Sequence, residues 1–75
     1  MDAQSQQIQL LITMRLRRLH REGYDGLRYL DLERVFTKYV WRKGMPNHLS
    51  VIGDTILNMS TDQIIRYLSI DAACN

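Results

Sequence analysis

Apolar side chains recur at three- and four-residue intervals along almost the whole chain, and the breaks in that rhythm are few. Such spacing gathers apolar groups on one side of an α-helix, whereas on a strand it would scatter them over both faces. Ile8, Leu11, Ile12, Leu16 and Leu19 form a first stripe, and Leu32, Val35, Phe36, Tyr39 and Val40 a second. Leu49, Ile52, Ile56 and Leu57 form a third, and Ile64, Ile65, Tyr67 and Leu68 a fourth. Between them stand Gly23 and Gly26, the cluster Gly44-Met45-Pro46-Asn47, and Met59-Ser60-Thr61. The chain therefore reads as all-α, a compact bundle of about four short helices.

Local signals set the expected boundaries. A first helix spans about Gln4 to His20, with Gly23 placed to end it, because glycine takes the left-handed C-cap conformation without penalty. Tyr24 to Leu30 reads as a connector closing at Asp31, a candidate N-cap for the second helix. Glu33 in its first turn and Arg42-Lys43 in its last would match the helix dipole. The β-branched and aromatic residues there leave room for a strand, but strict alternation is absent. Pro46 suits the break before a third helix, from Asn47 or His48 to Asn58. Gly53 inside it costs ~1 kcal/mol relative to alanine and points to close approach of another backbone. Ser60 and Gln63 have the spacing of a capping box for the last helix, whose end Ile70-Asp71-Ala72-Ala73 either extends or folds back. Residues 1–75 form one helical domain, with 1–5 and 71–75 as the ends prone to fray.

With 75 residues, 45% of them hydrophobic and 24% charged, the chain is too apolar for disorder and too polar for a membrane protein. Its longest apolar runs, such as Leu10-Leu11-Ile12, fall far short of the ~20 residues a bilayer span needs. No membrane insertion and a soluble, cytoplasmic location are expected. A chain this short buries roughly 60% of the surface its unfolded form exposes, which disfavours a deep active site. The lone Cys74 cannot form an internal disulfide, so stability must come from packing, within the chain or across a homodimer.

The net charge of +2 is too mild to announce nucleic-acid binding, but its distribution is uneven. Arg15, Arg17, Arg18 and Arg21 cluster with His20, and Arg34, Lys38, Arg42 and Lys43 form a second group, with no acid inside either segment. Local positive patches are implied.

The run Tyr39-Val40-Trp41-Arg42-Lys43, then Leu49-Ser50-Val51-Ile52-Gly53-Asp54-Thr55-Ile56-Leu57, then Asp62 to Ile70, resembles the small ComN-type post-transcriptional regulators of Gram-positive bacteria. Gly23-Tyr24 ahead of the second helix also fits, so the similarity extends from about residue 20 onward. The resemblance implies control of gene expression at the messenger-RNA level in a competence setting, with a division-site scaffold protein as a candidate partner. It carries over no catalytic or RNA-contacting residues.

The residues themselves offer one candidate surface. Arg17, Arg18 and Arg21 from the first helix, with Lys38, Arg42 and Lys43 from the second, would form an RNA-binding face if those helices lie side by side. Trp41, with Tyr39, would add a stacking platform worth ~1–3 kcal/mol per base. The plain alternatives are a solvated helix face for the cations and a core position for Trp41. Catalysis and metal binding are disfavoured. His20 and His48 lack ligand-pair spacing, Cys74 is terminal, and Asp54, Asp62 and Asp71 match no calcium loop. No cofactor is expected, and no nucleophile stands beside an oriented base. A DNA-binding helix-turn-helix, suggested by the short glycine-containing turn between the second and third helices, is disfavoured because the third helix carries no lysine or arginine. The competing class is a protein adaptor or homodimer. Its candidate surface is the first helix, where Leu10, Leu11, Ile12, Met14 and Leu16 spread over more than one face.

Overall fold

The computed structural model describes residues 3–74; Met1, Asp2 and Asn75 lie outside the described residues. Helix α1 runs Ala3–Arg21, α2 Tyr29–Arg34, α3 Leu49–Asn58 and α4 Thr61–Cys74, and α2 continues without interruption into a wide-wound π segment, Val35–Val40. No strand occurs among the described residues, so the all-α expectation holds.

Each helix end has an identifiable cause. Gly23 at φ +106° ends α1 as expected. The Tyr24 N–H donates to the Leu19 carbonyl at 3.0 Å and the Gly23 N–H to His20 at 3.1 Å, a paired closure of orphan carbonyls. The second helix starts earlier than expected. Arg28, not Asp31, is the N-cap, and Asp31 reaches back from the third helical position to accept the Arg28 N–H at 3.0 Å. Ser60 accepts the Gln63 N–H at 3.1 Å, as its spacing implies. The Ile70–Ala73 stretch extends α4 rather than folding back.

The core is a single cluster of Ile12, Leu19, Leu32, Phe36, Ile52, Ile56 and Ile64. Helix α1 packs chiefly on α3 and also on α2, while the π segment packs on α4. Gly53 has a Leu11 methyl 3.4 Å from where a Cβ would stand, so it accommodates a neighbouring side chain and not the backbone anticipated there. The π segment departs from the expected α winding. Its closing bond runs from the Trp41 N–H to the Phe36 carbonyl at 2.8 Å, five residues back. The helix therefore stops at Trp41, and Arg42 and Lys43 lie in the following turn instead of complementing the dipole from within the last helical turn.

Candidate nucleic-acid interface

Two of the charged residues are internal fasteners. Arg15 falls on the Ile8, Ile12, Leu19 stripe and is 0% exposed. Its guanidinium donates to the Leu57 carbonyl at 2.8 Å and to Thr61 Oγ1 at 3.1 Å, tying α1 to the joint between α3 and α4. Leu57 lies in the last turn of α3, where carbonyls lack intrahelical partners, so a cation is well placed there. Arg15 Nε has no partner, and burial, followed by the neighbouring Arg18, lowers the pKa against the opposing pull of Glu22.

Asp71, 3% exposed, is the second fastener. It accepts hydrogen bonds from Arg34 Nε at 2.8 Å, Tyr39 Oη at 2.9 Å and Lys38 Nζ at 3.2 Å. Burial pushes the carboxyl upward, but the bonds from Tyr39, Arg34 and Lys38 outweigh it and hold the pKa below the ordinary value. The same bonds raise Lys38 and Arg34, and burial followed by the bond to Asp71 raises Tyr39. The Tyr39 ring also stacks on Tyr67, with centroids 5.6 Å apart. Both groups of Tyr39, hydroxyl and ring, are thus engaged inside the molecule.

The expected basic face is accordingly divided. Lys38 is held by Asp71. Arg18 donates to the Leu57 carbonyl at 3.1 Å and pairs with Glu22 at 3.7 Å. Arg17, Arg21, Arg42 and Lys43 are exposed and form no ion pair among the described residues. Arg17 and Arg21 belong to the C-terminal end of α1, whereas Trp41 lines a cleft with Gln4, Ile8 and Ile12 from its N-terminal half. Thirteen residues separate Ile8 from Arg21, about 20 Å along a helix. The free cations thus fall in two groups, Arg17 and Arg21 toward the C-terminal end of α1 and Arg42 and Lys43 directly after Trp41, beside its N-terminal half.

Trp41 is half-buried. Its ring meets Phe36 at a centroid distance of 5.3 Å and its remaining surface lines the cleft, of about 280 Å³. Tyr29 and Glu33 stand on the α2 wall and Met45 also borders the cleft. The Tyr29 hydroxyl is buried without a hydrogen bond of good geometry, although Glu33 is near enough to hold its proton. Burial, then Glu33, raises the Tyr29 pKa. Sequence reasoning passed over Tyr29 and Glu33 as site residues. Their four-residue spacing on one helical face, with Thr37 and Trp41 continuing it, is the signal that was available.

A second groove, about 460 Å³ and mostly apolar, lies between α1 and α3 and is lined by Leu10, Leu11, Leu49 and Gly53. Leu10 is 59% exposed, Val51 47% and Met14 46%. No group of three or more histidine, cysteine, aspartate or glutamate residues able to hold a metal occurs among the described residues. No helix among the described residues is long and apolar enough to cross a membrane.

Residues 1–75 match the family model described as Post-transcriptional regulator. The chain belongs to that family. The match bears out the resemblance read from about residue 20 onward at the level of post-transcriptional regulators, and it also takes in the arginine-rich α1. No match was found among curated proteins or among solved structures.

Proposed function

We propose that this post-transcriptional regulator is not an enzyme and acts by binding messenger RNA directly, through the cations that the fold leaves free. The observation that carries this reading is the sorting of the charges. Arg15, Lys38 and Arg34 are spent on internal bonds, while Arg17, Arg21, Arg42 and Lys43 stay exposed without acidic partners among the described residues. Charges kept from neutralisation at a surface attract a polyanion and release its counterions on contact. Single-stranded RNA suits this layout better than a rigid duplex, because a flexible strand can reach both groups of cations and lay a base near Trp41. In this reading the protein works in the cytoplasm, and competence and a division-site scaffold protein are the setting and the partner that the resemblance adds.

Fluorescence anisotropy of a labelled single-stranded octamer at low salt tests it. The wild-type chain should bind, and a variant with Arg17, Arg21, Arg42 and Lys43 all changed to glutamine should not. Absence of binding by the wild-type chain at low salt would refute direct contact.

A second reading rests on the apolar groove between α1 and α3, which the exposed Leu10 borders, with Met14 and Val51 exposed elsewhere on the same two helices. In that reading the effect on messenger RNA is indirect and the groove joins two copies of the chain.

A further inference from the structure

The cleft between α1 and α2 combines features that the free cations alone do not explain. Its volume of about 280 Å³ lies at the lower edge of the ~300–1,000 Å³ typical of small-ligand sites, enough for one flat heterocycle. Ile8 and Ile12 supply an apolar wall, and Trp41 supplies an aromatic one. Glu33 presents a carboxylate that no cation occupies among the described residues. The Tyr29 hydroxyl is closed off from solvent behind it, near enough to Glu33 to share its proton with that carboxylate. Directly after Trp41 come the exposed Arg42 and Lys43, positioned to meet a phosphate outside the cleft.

We propose that the cleft receives a single unstacked guanine from single-stranded RNA, laid against Trp41, with its N1–H and N2 amino group donating to the Glu33 carboxylate. The inference rests on the RNA reading above and specifies the base it selects. Guanine is singled out by donor order. Its Watson–Crick edge places two donors side by side, which matches the two oxygens of a carboxylate. Adenine and cytosine each set a ring acceptor beside their amino donor, and uracil has one donor between two acceptors. Each would turn a lone pair toward the Glu33 carboxylate. Extruded bases of this kind are normally read by aromatic stacking together with edge hydrogen bonds.

The test compares two labelled octamers, one all uridine and one with a single central guanosine, and adds a third with inosine, which lacks the N2 amino group. Wild-type protein should bind the guanosine octamer at least about fivefold more tightly than the uridine one, and inosine should forfeit part of that gain. Glu33→Gln should bring the ratio to about one. Because inosine alters only the RNA, the comparison stands whatever the variant does to folding. Guanosine monophosphate alone should quench the fluorescence of Trp41, the only tryptophan, more than uridine monophosphate does. Equal binding of all three octamers with no selective quenching would overturn the guanine site and leave the RNA reading in place. Selective quenching by the mononucleotide without octamer binding would support the cleft and refute the wider RNA reading. No octamer binding and no quenching would refute both.

Discussion

The division of the cations into held and free makes the salt dependence of RNA binding calculable. Each phosphate neutralised on a single strand adds about 0.7 to the slope of log affinity against log salt. Four free cations, Arg17, Arg21, Arg42 and Lys43, therefore limit the slope to about 3, which corresponds to roughly fiftyfold weaker binding at 200 mM than at 50 mM salt. If Arg18 and Lys38 also served phosphates, the slope would be about 4 and the loss roughly sevenfold greater again. Anisotropy titrations at four salt concentrations resolve the two cases. Arg42→Gln with Lys43→Gln should lower the slope by about 1.4, as should Arg17→Gln with Arg21→Gln. Lys38→Gln should leave it unchanged, because that ammonium stays 3.2 Å from Asp71. A drop of about 0.7 in Lys38→Gln, equal to that of a free cation, would refute the assignment of Lys38 to Asp71.

Other consequences concern stability and assembly. Arg15→Met and Arg15→Ala both remove the buried charge, yet Met keeps most of the stem volume. Arg15→Ala should be about 2–3 kcal/mol less stable than Arg15→Met in urea unfolding followed by circular dichroism, and equal stabilities would mean that the stem packs against nothing. The Asp71 fastener should fail at both pH extremes. The Asp71 pKa is held below 3.8, so its contribution is complete above that value and is lost as the pH falls through the depressed folded value. Lys38 and Tyr39 are raised from 10.5 and 10.0, so theirs is complete below those values and is lost as the pH rises through the raised ones. Thermal unfolding from pH 2 to 12 should show both declines, with Asp71→Asn flattening them; an unchanged pH profile in that variant would contradict the scheme. For the groove between α1 and α3, size exclusion with light scattering should show a dimer that Leu10→Glu dissociates if the second reading holds, and a monomer at every concentration would dismiss it.

The helices were legible because their causes are local. The apolar stripes, Gly23 and the Ser60–Gln63 pair act within a turn or two of themselves. Asp31 shows where local reading becomes ambiguous, since one aspartate can cap a helix from its first position or from three residues inside it, and only the path of the chain chooses. The π segment was hidden because its side chains engage partners distant in sequence, Asp71 and Tyr67, whose positions depend on how α4 docks. Arg15 was readable in principle, standing at the spacing that places Ile8, Ile12 and Leu19 inside. The undivided basic face failed for a different reason. The chain that follows Gly23 returns to α1 so that Trp41 meets Gln4, Ile8 and Ile12, which sets the succeeding Arg42 and Lys43 apart from Arg17 and Arg21. The cleft itself arises from that return, so its chemistry became visible only when the two helices were seen together.

Central to this account is direct contact between RNA and the Trp41 end of the molecule. Titrating unlabelled single-stranded RNA into the ¹⁵N-labelled chain and following backbone amide and indole N–H resonances tests it most directly. The account predicts that the Trp41 indole and the amides of Tyr29, Glu33, Arg42 and Lys43 shift together and saturate. Shifts confined to Leu10, Leu11, Leu49 and Val51, or no shifts at all, would contradict it.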